Sequence, residues 1–69
     1  MVEVFKTNVE ESQGAHNIIN ILMEHFPGSR INFDLDDCDR ILRVEGQDII
    51  PHQVEGLLRQ EGFTCDVLE

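Results

Sequence analysis

The chain has neither Trp nor Tyr, only two Cys, and five basic residues against 14 acidic ones in 69. Each shortage excludes something. Two cysteines cannot build a disulfide framework, and Cys38 and Cys65 lie too far apart in sequence for zinc-type spacing. A formal charge of −9 argues against nucleic acid, whose phosphates require clustered Lys and Arg, and against an anionic membrane surface. Basic protein surfaces or cations suit it better. No apolar run approaches the roughly 20 residues needed to span a bilayer. The N-terminus shows no basic-then-apolar leader, so a cytoplasmic protein is the expectation. The length suits one domain over residues 1–69. Leu68-Glu69 matches the pair that expression vectors leave before a purification tag.

What is present is periodicity. Residues 2–7 are β-prone. Asn8 followed by Glu11 has the spacing of a helix capping box. Ala15, Ile18, Ile19, Leu22 and Phe26 then recur at threes and fours, which predicts a helix ended by Pro27-Gly28. Arg30 to Asp36 alternates, with Ile31, Phe33 and Leu35 inward. Asp36-Asp37-Cys38-Asp39 reads as a turn and Arg40 to Glu45 as the return strand. Pro51 suits the first position of a second helix with Val54, Leu57 and Leu58 on its stripe, Gly62 its cap, and 63–68 a last strand.

The expected architecture is α+β, a ferredoxin-like βαββαβ sandwich. Its four-stranded antiparallel sheet would have order 4-1-3-2, with both helices on one face. The other face would carry Val2, Val4 and Ile41 among Lys6, Asn32, Asp34, Arg43, Thr64 and Asp66. That small patch is left to solvent or, as the second reading, is an interaction face for a protein partner or a second copy; edge strands with unpaired amides offer another route to a dimer.

The first strand–helix junction, Thr7-Asn8-Val9-Glu10-Glu11-Ser12-Gln13-Gly14-Ala15, and Gly62-Phe63 after the second helix resemble the heavy-metal-associated domain of copper chaperones and metal-pumping ATPases. In that family the first loop reads Met-x-Cys-x-x-Cys and is followed by a small-residue pair. Thr7 falls at the Met, Val9 and Ser12 at the cysteines, and Gly14-Ala15 at the small pair. Phe63 falls at the residue that packs beside the metal loop. The resemblance implies a degenerate member without its thiols. Val cannot ligate and a Ser hydroxyl is a poor, hard substitute for a soft thiolate.

Three connections should meet at one end of the sheet, gathering Glu10, Glu11, Asp36, Asp37, Asp39 and Glu61 with Cys38. This reads first as a solvated acidic rim offset by Arg40 and Arg59, and second as a divalent-cation site of altered ligands. No cofactor is expected otherwise. Cys65 reads as a core residue and Cys38 as exposed. His16, His25 and His52 do not converge, and no catalytic constellation is found. The leading expectation is a non-enzymatic binding module. Altered-ligand metal handling is the alternative. A small-molecule sensor with a glycine-containing first loop is the third reading.

Overall fold

A computed structural model describes residues 1–68. The chain runs β1 (Val2–Thr7), α1 (Ser12–His25), β2 (Arg30–Asp34), β3 (Ile41–Glu45), α2 (Pro51–Gln60), β4 (Cys65–Val67). The strands form one sheet in the order β2-β3-β1-β4, which from the other edge is the expected 4-1-3-2. All three pairings are antiparallel.

The register explains the single core. Phe5 lies opposite Leu42, which lies opposite Phe33, while Thr7 lies opposite Cys65. Side chains in register share a face. Phe5, Leu42, Val44 and Cys65 join Ala15, Ile18 and Leu22 of α1 and Val54 and Leu58 of α2 in one cluster. Both helices therefore cover the same side of the sheet. Among the described residues no helix is long and apolar enough to cross a membrane.

The start of α1 differs from expectation. Asn8 does not cap it; Glu11 is the N-cap residue and makes no side-chain cap bond. Val9 is fully buried, and to bury it the chain stays extended through Glu11 (φ −107°, ψ 145°). Asn8 is taken by a distant amide instead: Thr64 N–H donates to its Oδ1 at 2.8 Å. The last strand is also shorter than expected, because Thr64 serves that link rather than the sheet. Leu68 N–H still donates to Val4 O at 2.8 Å, whereas Glu69 lies outside the described residues.

Helix α2 begins at Pro51, as expected. At its far end Gly62 takes φ +91°. Gly62 N–H donates to Arg59 O and Phe63 N–H to Leu58 O, both at 3.0 Å. These paired bonds satisfy the last carbonyls of the helix and need a left-handed residue at the glycine. Gly56 has no such duty: it lies inside α2, exposed, and a Cβ added there would meet nothing within 4 Å. Gly56→Ala is expected to raise stability by about 1 kcal/mol and Gly62→Ala to lower it by about 1 kcal/mol, both read from urea midpoints.

Candidate functional site

The end of the sheet where β1 stops gathers the three expected connections, residues 8–11, 35–40 and 61–64. Thr7 ties the first to the second. Its hydroxyl donates to Arg40 O at 2.6 Å and accepts from Val9 N–H at 3.2 Å. Thr7 N–H donates to Asp39 O at 3.1 Å. Asn8 ties the first to the third through Thr64.

Arg40 completes the joint. It adopts φ +45°, a conformation that costs a non-glycine residue about 1 kcal/mol or more. Its guanidinium donates to Leu35 O and Asp37 O, each at 3.1 Å, and stands 3.5 Å from the Glu10 carboxylate. Opposite, a Cβ on Gly14 would lie 3.2 Å from Phe63 Cζ and 3.7 Å from Val9 Cγ1. The bare glycine lets the Phe63 ring close over the loop. Val9 and Ser12 thus have opposite fates: Val9 is 0% exposed in the core, and Ser12 is exposed at the first turn of α1. What remains of the loop surface is a shallow depression bordered by Asn8, Glu10, Glu11, Gln13, Gly14 and Phe63.

The acidic rim is only partly assembled. Among the described residues Asp37, Cys38 and Asp39 form one group whose ligand atoms lie within 4.8 Å of one another. Glu11 and Asp36 are outside that group, and Glu10 is engaged by Arg40. Asp37 Oδ1 accepts from Asp39 N–H at 2.8 Å, and Asp39 lies 3.7 Å from Lys6 Nζ. Arg59 does not offset this rim, contrary to expectation; it serves β4. Cys38 is exposed and Cys65 buried, both free. Burial first, then the nearby Glu55 carboxylate, pushes the Cys65 thiol up to about 12. Among the described residues no buried side-chain nitrogen or oxygen lacks a partner.

The opposite end of the sheet holds the larger recess. It is an open cleft of about 570 Å³ between the Phe26–Ser29 turn and the Gly46–Ile49 loop, bordered also by His25 and Gln53.

The open sheet face is less apolar than expected. Val2 is 51% exposed and Val4 half-buried, but Ile41 is only 7% exposed. It lies on interior strand β3 between Lys6 and Asp34 in register, and Lys6 reaches along that strand toward Asp39. Thr64 lies ahead of β4 and is not in the face. The exposed apolar residues at that sheet are Val2 and Leu68.

The two sheet edges are unlike each other. Leu68 N–H bonds Val4 O, whereas Thr7 N–H bonds Asp39 O and Gly46 N–H bonds Met1 O. Even-numbered residues of β1 therefore face β4 and odd-numbered ones face β3. By the registers, Cys65 and Val67 turn their backbone groups outward at one edge, and Ile31 and Phe33 turn theirs outward at the other. At the first edge α2 intervenes. Arg59 Nη2 donates to Cys65 O at 3.1 Å, and Val67 N–H donates to Glu55 Oε2 at 3.2 Å. The two groups flanking Asp66 are thereby taken. At the β2 edge, the amides and carbonyls of Ile31 and Phe33 have no partner among the described residues. This asymmetry was not anticipated; the four-residue spacing of Glu55 and Arg59 on one helix face was the available signal.

No family model, no curated protein and no solved structure matches this chain.

Thr7→Val keeps the shape but removes the hydroxyl, leaving Arg40 O and Val9 N–H short of a bond. A loss of about 1–3 kcal/mol is expected by chemical denaturation. The folded Cys65 pKa lies above its ordinary 9.0, so its contribution is complete below pH 9 and lost as pH rises toward 12. The unfolded chain releases the proton first, and stability should fall by up to about 1.4 kcal/mol per pH unit over that window. Cys65→Ala should flatten this alkaline slope in denaturation curves recorded against pH.

Proposed function

We propose that this chain is a non-enzymatic binding module, built on a ferredoxin-like scaffold of the heavy-metal-associated kind whose metal loop has become a packed structural joint. The observation that carries this reading is Val9, wholly buried at a thiol position and held there by the Thr7 hydroxyl. A loop that exchanges a soft ion must present ligands at the surface; this one buries an isopropyl group and is covered by Phe63. Two features support binding over catalysis. Buried polar side chains are all partnered among the described residues, and the recesses are open rather than enclosed. The surfaces left for recognition are the β2 edge and the strip around Val2 and Leu68, suited to another protein or another copy of the chain. Two free thiols fit a reducing, cytoplasmic setting.

A second reading has one observation behind it, the convergence of Asp37, Cys38 and Asp39. Such a site would take a divalent cation through two carboxylates and a thiolate. Titration with copper(I), zinc and calcium, followed by backbone amide shifts, tests both readings. The module reading expects no saturable shifts at residues 7–14. Tight one-to-one copper binding there would end it. Saturable zinc shifts at residues 37–39, abolished by Cys38→Ser, would establish the second reading.

A further inference from the structure

We propose that the β2 edge is a self-complementary docking strand, and that its occupant is the β2 edge of a second copy of this chain, joined antiparallel about a two-fold axis at Asn32. The pairing rests on the reading of the chain as an interaction module and names its partner.

Three observations converge on this arrangement. The first is hydrogen-bonding parity. Ile31 and Phe33 turn outward, and one group of each flanking residue is already engaged: Ser29 N–H donates to Phe26 O and Leu35 O accepts from Arg40. Between them Ile31 and Phe33 offer four open backbone groups, two amides and two carbonyls. In an antiparallel pair centred on Asn32, Ile31 of each copy faces Phe33 of the other. Both are outward residues, so each such pair exchanges two bonds. The four open groups of each copy are then all used.

The second is side-chain matching. The strand reads Arg30-Ile31-Asn32-Phe33-Asp34. About that axis Arg30 meets Asp34 of the second copy, twice, and Ile31 meets Phe33, twice. Opposite charges and apolar pairs directly across a ladder are favourable, and like charges there are not. Neither Arg30 nor Asp34 is engaged in a salt bridge among the described residues. Ile31 and Phe33 are half-buried and pack against the core on the helix side, so pairing would cover what remains of them.

The third is the contrast with β4. Glu55 and Arg59 engage that edge, whereas among the described residues no helix side chain bonds the β2 edge. Two copies of charge −9 repel at long range, so the pairing is expected to be reversible and to show at high protein concentration in physiological salt.

Sedimentation across rising concentration tests it, with Arg30→Asp, Asp34→Arg and the double variant, each checked for native circular dichroism. The expected result is a monomer–dimer equilibrium weakened about tenfold by each single change and restored in the double. The two singles move net charge in opposite directions, so a general charge effect would weaken one and tighten the other. A chain monomeric at every concentration, or an Asp34→Arg variant that dimerises more tightly, would overturn the proposal. Register is read separately by cross-linking in a Cys38→Ser background. Asn32 would face its own copy at a Cα distance of about 4.5 Å, within disulfide reach. Asn32→Cys should link on mild oxidation and Arg43→Cys, one strand inward, should not; equal linking at both would refute the axis. A monomer that takes no copper ends the pairing alone, whereas copper held at Val9–Ser12 ends the module reading.

Discussion

The Thr7 hydroxyl is the hinge-pin of this small protein. One oxygen donates to Arg40 O and accepts from Val9 N–H, joining the end of β1 to the β2–β3 hairpin and to the chain entering α1. Because it is buried, its two bonds are hard to replace by water. Holding Arg40 O fixes the residue with positive φ, and that residue's guanidinium then gathers Leu35, Asp37 and Glu10. Holding Val9 N–H drives the Val9 side chain into the core beneath Phe63. The packed end of the molecule therefore descends from one contact between residues 33 positions apart.

That closure separates scaffold from chemistry. The element order, the small residue at Gly14 and the Gly62-Phe63 ending are compatible with a loop that carries an ion. The side chains at 7 and 9 make it a joint instead. Glu10, which on a surface loop could serve as a ligand, is directed to Arg40. The groups this closure leaves without a partner among the described residues are backbone amides and carbonyls at the β2 edge of the sheet.

Much of the architecture was legible along the chain. The stripe of Ala15, Ile18 and Leu22, the alternation of Ile31 and Phe33, Pro51 at the start of α2 and Gly62 past its end all act through near neighbours. Physics that is local is readable locally. The expectations that failed were decided by residues far apart. Asn8 satisfies its local motif on paper, but Thr64, 56 residues on, takes its side chain. Ile41 alternates outward, but two neighbouring strands shelter it. The difference between the sheet edges depends on which backbone groups the register turns outward and on where α2 lies, and neither is visible before the strands are aligned.

The engagement of β4 by Arg59 and Glu55 has a consequence for how large any assembly can become. A sheet with two receptive margins can add copies without end, as fibres do. A sheet that is receptive at one margin and guarded at the other saturates with a single neighbour. By bonding Cys65 O and Val67 N–H, the guanidinium and carboxylate on the last helix leave this sheet a single receptive margin, a geometry that would cap strand addition at a pair and not permit a filament.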